Sequence, residues 1–183
     1  LVLAQNQATE LANELQQKNT SYEEELKLAH EIQQALSTTR FPEASSRNGN
    51  SLSFGSRYLP ISGLAGDFFE VISLGQNRYG VFICDVMGHG IRAALIVSML
   101  RGLIVTQNAQ GRNSAEFLNT MNHGLTSILQ RANVTMFATA FYGIIDLETL
   151  SFEYSCAGHP GPVAIGEDGS LQLCTQKKEK GAA

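Results

Sequence analysis

The order of elements in this 183-residue chain predicts an α+β domain behind a long N-terminal helix. Three observations carry that expectation. A seven-residue apolar repeat is confined to the first 36 residues, a hairpin near residue 76 is apolar on both faces, and strands are followed by two apolar helices and then by strands again.

In the N-terminal repeat, Leu1, Ala8, Leu15, Tyr22, Ala29 and Leu36 recur every seven residues, with Ala4, Leu11 and Ile32 between them and polar breaks at Lys18 and Glu25. This is the seam of a coiled coil. A helix from Leu1 to about Thr38 is on the order of 57 Å long at ~1.5 Å per residue, and it needs a partner. The partner is either a second copy, giving a homodimer through residues 1–36, or the protein's own domain. Phe41-Pro42 ends the helix, because the residue before proline is pushed out of the helical region. Residues 43–50 are small and polar. The expected divisions are therefore a coiled-coil helix at 1–39, a linker at 40–50 and a domain at 51–183.

Within the domain, Leu52 to Tyr58 alternates as a strand and Arg57 to Gly66 reads as a loop. Phe68 to Leu74 and Arg78 to Cys84 form a hairpin across the turn Gly75-Gln76-Asn77. With Gln76 as pivot, Asp67 and Asp85 stand nine residues before and nine after it, and so face each other. Directly opposed residues of an antiparallel pair lie roughly 4.5–5.5 Å apart, and like charges there repel. A cation between them resolves the conflict; a pair of divalent ions ~3.5–4 Å apart is one such arrangement. Phe69, Val71, Ser73, Tyr79, Val81 and Ile83 share the aspartate face. Phe68, Ile72, Leu74, Phe82 and Cys84 share the other, where Glu70 is the sole acid. A hairpin apolar on both sides is expected to be covered twice, by helices and by another sheet.

A buried helix follows at Ile91 to about Thr106. A second begins near Asn113 or Ser114, where Asn113 and Glu116 have capping-box spacing, and it carries Phe117, Leu118, Met121, Leu125, Ile128 and Leu129 on one face. Met136 to Ile145 and Leu150 to Ala157 form a second hairpin about a turn at 146–149, pairing Thr139, Phe141, Gly143 and Ile145 with Cys156, Tyr154, Phe152 and Leu150. Pro162 to Ile165 and Leu171 to Cys174 form a last one about Asp168-Gly169.

A net charge of -4 and a pI near 5.5 argue against nucleic acid, whose binding is dominated by basic surface. Cys84, Cys156 and Cys174 have no metal-ligand spacing and fit a reducing, cytoplasmic setting. The longest apolar run, Ile91 to Val105, contains Arg92 and Arg101 and falls short of the ~20 apolar residues of a membrane span.

The segments Ala65-Gly66-Asp67-Phe68-Phe69, Cys84-Asp85-Val86-Met87-Gly88-His89-Gly90, Ala93-Ala94-Leu95, Met136-Phe137-Ala138-Thr139 and Ala157-Gly158-His159-Pro160 occur in that order. Together they resemble the SpoIIE-like and RsbU-like branch of PPM-type protein serine/threonine phosphatases, from about Glu31 to Gly166. The resemblance implies a four-layer αββα sandwich with a two-ion Mn²⁺ or Mg²⁺ centre. It also implies hydrolysis of phosphoserine or phosphothreonine on a small regulatory protein, often an anti-sigma-factor antagonist of the STAS type, under control of the upstream helix. Residue by residue, it implies that Asp85 bridges the ions, that the carbonyl of Val86 joins it and that Asp67 holds the second ion. Oxygen donors of this kind suit Mg²⁺ or Mn²⁺ rather than Zn²⁺.

Gly88 and Gly90 turn the backbone beside the ions. His89 is a candidate general acid or a structural loop residue; His159 reads as structural. Glu70 stands where the family commonly has an aspartate, but alternation turns it away from Asp67. Family members continue past the region matching Leu171 to Ala183 into a Thr-Asp-Gly motif and a further aspartate that complete the metal site. The expectation is therefore a domain incomplete at its C-terminus. The alternative function is a non-catalytic module that dimerises through the coiled coil and binds a partner protein.

Overall fold

The computed structural model describes residues 2–37, 41–46, 49–59, 64–106 and 113–174. The expected helix end at Thr38, the middle of the Arg57 to Gly66 loop, the connection between the two central helices and the polar tail from Thr175 lie outside these residues.

Helix α1 spans Val2–Ser37. Residues 5–28 are exposed throughout, including Leu11, Leu15 and Tyr22 of the heptad seam. Over residues 5–28 the helix is not laid along the domain; among the described side chains it reaches the domain around Ala29, His30, Ile32 and the buried Gln33. Strands β1 (Ala44–Ser45), within the stretch expected to be a linker, and β2 (Ser51–Leu52), just after it, pair antiparallel. The amide of Ser46 donates to the Asn50 carbonyl, and Asn50 Nδ2 donates to Leu147 O at 3.1 Å, which ties this small hairpin to the domain. The expected strand Leu52 to Tyr58 is correspondingly absent beyond Leu52. Phe54 instead packs its ring against Phe41 and Tyr79.

The main sheet is antiparallel and ordered β3-β4-β5-β6: β3 is Asp67–Gly75, β4 Arg78–Val86, β5 Ala138–Asp146 and β6 Ser151–Ala157. The β3–β4 register is the expected one from Asp67↔Asp85 to Ser73↔Tyr79. A bulge then shifts the pairing to Gly75↔Arg78, so the turn is the two-residue Gln76-Asn77 rather than one pivot residue. Both turn residues have positive φ, 52° and 58°, as the tight hairpin turn that matches strand twist requires.

The β5–β6 pairing needs correction by two residues. Phe141 faces Cys156, Gly143 faces Tyr154 and Ile145 faces Phe152, while Leu150 belongs to the turn with φ 53°. The four-residue turn sits one position later than expected, at 147–150, where the Asp146 side chain accepts from the amides of Glu148 and Thr149. The aspect of the strands survives because a two-residue slip keeps every side chain on its face.

Helices α2 (Ile91–Thr106) and α3 (Ser114–Ala132) cover the face away from the aspartates. Asn113 caps α3 in a complete capping box with Glu116. Phe117 is fully buried, stacked on Tyr142 with ring centroids 3.9 Å apart and edge-on to Phe82 at 6.0 Å. On this same face Glu70 accepts from Arg101 Nε at 3.0 Å, and the guanidinium lies over the Phe68 ring. Glu70 therefore pins α2 to β3, away from Asp67. The aspartate face is covered less. Val71, Tyr79 and Phe141 are buried, but Ile83 and Phe152 are 38% and 45% exposed, so the fully covered core expected there is confined to the patch under Phe41, Phe54 and Tyr58. A final hairpin, β7 (Val163–Ile165) with β8 (Leu171–Leu173), forms as expected.

Candidate metal centre

Asp67 and Asp85 open β3 and close β4 as direct cross-strand partners, and Asp85 in turn faces Thr139 at the start of β5. Three side chains thus form a row across one end of the sheet, all on the face away from the helices. Burial pushes the Asp67 carboxyl above the usual carboxylate range and the facing Asp85 pushes it further, while the His159 imidazole offsets part of the rise. Tyr58 flanks the row, donating its hydroxyl to the Asp67 carbonyl at 3.3 Å. At the other flank His159 Nδ1 lies 2.9 Å from Thr139 Oγ1. Cys84, next to Asp85, takes no part: burial, with Asp85 and Asp67, pushes its thiol up to about 12, which removes the thiolate needed for nucleophilic chemistry.

The loop before Asp67 is laced to the loop after Asp85. Gly66 O accepts from the amide of Val86 at 3.2 Å and Leu64 O from that of Gly90 at 3.1 Å. Gly88 and Gly90, with φ of +86° and +78°, make the turn that leads into α2. Gly66 is required for a different reason: a Cβ there would lie 2.6 Å from the Val86 carbonyl oxygen. Gly66→Ala is expected to cost about 1–3 kcal/mol, as overpacking of a tight contact does, and to displace that carbonyl; urea denaturation of the variant measures it.

Between Leu64 and Gly66, the Ala65 backbone is taken by Gln33 of α1, whose Nε2 donates to Ala65 O at 2.9 Å and whose Oε1 accepts from Ala65 N at 3.2 Å. The N-terminal helix is thereby bonded two residues from Asp67. Gln33→Leu leaves both backbone groups without these partners, a loss of about 1–3 kcal/mol in local stability. Amide exchange at Ala65 should accelerate by about 5- to 150-fold if that cost is read through local opening.

The donor set fits a hard divalent cation. Two carboxylates held in register repel unless a cation lies between them, and with the Val86 carbonyl they offer oxygen only. Among the described residues no third His, Cys, Asp or Glu joins them in a cluster. Of the residues singled out in the sequence, Asp67 and Asp85 stand face to face, and the Val86 carbonyl lies against Gly66, next to Asp67 in the chain. His89 is exposed in the Gly88–Gly90 turn, and Glu70 points to the helices. Gln33 and the His159–Thr139 pair were missed. The alternation of β5, which puts Thr139 on the aspartate face, was the available signal for the second; nothing local signals the first, since its partner is 32 residues away.

A mixed helix-and-sheet domain with opposed carboxylates at a glycine-lined strand end is the class that fold and site define. Comparison places it further: residues 75–183 match the family model of Stage II sporulation protein E (SpoIIE), and the chain belongs to that family. Asp85 and Val86 fall inside the matched region and Asp67 precedes it. The chain is 31% identical over 159 residues to phosphoserine phosphatase RsbP of Bacillus subtilis (strain 168), covering 86% of this chain and 38% of RsbP. To phosphoserine phosphatase RsbU of the same organism it is 28% identical over 138 residues, 75% of this chain and 38% of RsbU. It thus spans about two fifths of the length of these relatives. The solved structure of the RsbU and RsbW domains of Rv1364c from Mycobacterium tuberculosis superposes with a TM-score of 0.53 at 28% identity, over 64% of this chain and 32% of that one.

Proposed function

We propose that this chain is part of a metal-dependent protein serine/threonine phosphatase acting on a phosphorylated regulatory protein of the STAS type. The observation that carries the proposal is the Asp67↔Asp85 pairing at one end of the sheet, in a chain whose relatives RsbP and RsbU are phosphoserine phosphatases. Asp85, joined by the Val86 carbonyl, and Asp67 would hold the Mn²⁺ or Mg²⁺ ions. Bound ions supply Lewis acidity toward the phosphoryl oxygens and a lowered pKa for the attacking water. The chain's own contribution is placement: the β3–β4 register fixes the carboxylates, Gly66 lets the Val86 carbonyl approach, and Gln33 holds the loop to α1.

The full domain is proposed to be a four-layer αββα sandwich from residue 51 onward, joined through 40–50 to a coiled-coil helix at 1–39. The exposed Leu11, Leu15, Tyr22 and Ile32 support a homodimer through that helix, and Gln33 makes it a route for control of the site. A cytoplasmic setting is part of the same reading; among the described residues no helix is long and apolar enough to cross a membrane.

The test is phosphate release from a phosphoserine peptide and from p-nitrophenyl phosphate by the full-length product of the gene, with Mn²⁺, Mg²⁺ or chelator. Release that requires the metal supports the phosphatase. A protein inert with every divalent ion and phosphoprotein tried is a partner-binding module instead.

A further inference from the structure

The carboxylate pair offers the departing serine oxygen no proton donor. His89 is exposed, with no hydrogen bond to orient its ring among the described residues. His159 is different. An isolated parallel bridge, Ala140↔Gly158, brings its loop alongside the start of β5. Gly158 makes this bend at φ +69°, against the Thr139 side chain. The ring is half-buried and its Nδ1 is engaged by Thr139 Oγ1 at 2.9 Å, while Nε2 has no partner among the described residues. Thr139 is itself the cross-strand partner of Asp85. The row therefore runs Tyr58, Asp67, Asp85, Thr139, His159, with an oriented imidazole at the end away from Tyr58.

Adjacent strands lie roughly 4.7–4.9 Å apart, so His159 stands one to two strand spacings beyond the carboxylate pair. In phosphoryl transfer the attacking and leaving oxygens lie roughly in line. With the attacking water at the carboxylate pair, the leaving oxygen lies on the opposite side of phosphorus from it. The imidazole is also near enough to Asp67 to act on its carboxyl.

We propose that His159, oriented by Thr139, is the catalytic residue that donates a proton to the leaving serine oxygen. This rests on the phosphatase reading above. As the new bond forms between the water oxygen and phosphorus, the bond from phosphorus to serine Oγ breaks with its electron pair on Oγ. His159 acts as the imidazolium, its Nδ1–H donating to Thr139 Oγ1: the Nε2 proton passes to the serine Oγ, the attacking water gives up a proton to solvent, and the neutral imidazole left behind regains one from solvent. Serine leaves as a neutral alcohol. Thr139 is a positioning residue: with Nδ1 tied to its hydroxyl, Nε2 is the nitrogen presented to substrate.

The experiment exploits the leaving group. A seryl oxygen needs protonation, whereas p-nitrophenolate leaves without it. In the full-length protein, His159→Ala is expected to lower kcat on a phosphoserine peptide by about 10²- to 10⁴-fold, the usual worth of general acid catalysis, with little change on p-nitrophenyl phosphate. Thr139→Val should show the same selectivity in weaker form, and it guards against a His159 variant that misfolds. His89→Ala should move both substrates alike. Equal losses on both substrates for the His159 and Thr139 variants, no loss in either, or a selective loss that attaches to His89→Ala instead, each overturns the assignment while the active wild type keeps the phosphatase reading. A wild type inert on both substrates overturns that reading, and this one with it.

Discussion

Asp85→Asn is expected to lower kcat on a phosphoserine peptide by more than about 10²-fold, since removing even an outer-shell partner of a metal ligand costs about 10- to 100-fold. Asp85 sits at the centre of the row, paired with Asp67 on one side and Thr139 on the other, and is the acid proposed to hold the ions. The loss should appear with either substrate, p-nitrophenyl phosphate included, which separates it from the substrate-selective loss expected for His159. Without metal the same variant should melt no lower than wild type. Asp67 has a raised pKa in the fold through burial and the facing Asp85, so the folded state binds its proton more tightly than the unfolded chain does. That difference favours folding below the unfolded carboxylate range and is lost as pH rises through the raised value. At neutral pH the facing charge is a burden on the metal-free fold, and Asn removes it. A melt that falls by several degrees in chelator would show instead that Asp85 serves the fold.

Phe117→Ala is expected to destabilise the protein by about 3–5 kcal/mol, the range for removing a large aromatic from a packed core. Its ring is fully buried between Tyr142 of β5 and Phe82 of β4, and it is the contact through which α3 closes the sheet. Collapse around the gap is limited because Tyr142, also fully buried, is already packed against the backbone of Gly80, where an added Cβ would meet the tyrosine hydroxyl. Urea denaturation monitored by far-UV circular dichroism measures the loss. A cost below about 1 kcal/mol, the scale of a surface substitution, would mean that α3 is held by its cap and by the bonds of Ser114 to Glu153 and Ser155 of β6 rather than by this stack.

Much of the site was legible because it rests on local rules. Alternation with a short turn places Asp67 opposite Asp85 whether the loop has one pivot or two residues and a bulge. Apolar periodicity and a capping box locate α2 and α3 closely. What the chain concealed rests on contacts remote in sequence or on side chains that redirect a turn. Asp146 caps a four-residue turn one position later than expected, which moved the β5–β6 register by two. Phe54 alternates like a strand residue but packs as a lid on Tyr79. Gln33 lies in a helix whose pattern advertises only its apolar seam, and its bonds to Ala65 answer to the position of a loop 32 residues away. The Glu70–Arg101 pair illustrates the opposite case: alternation alone turned Glu70 from the site, and the helix face supplied the partner.

The most direct test of the central claim, that the opposed aspartates are a divalent-cation site, is Mn²⁺ titration followed by electron paramagnetic resonance. Free Mn²⁺ gives a sharp signal that is lost on binding, so no turnover is needed. In the full-length protein, wild type should deplete the free-ion signal at low equivalents, and Asp67→Asn and Asp85→Asn should each weaken that depletion, Asp85→Asn the more. Equal depletion by wild type and both variants would contradict the account and leave the pairing of Asp67 with Asp85 without its chemical reason.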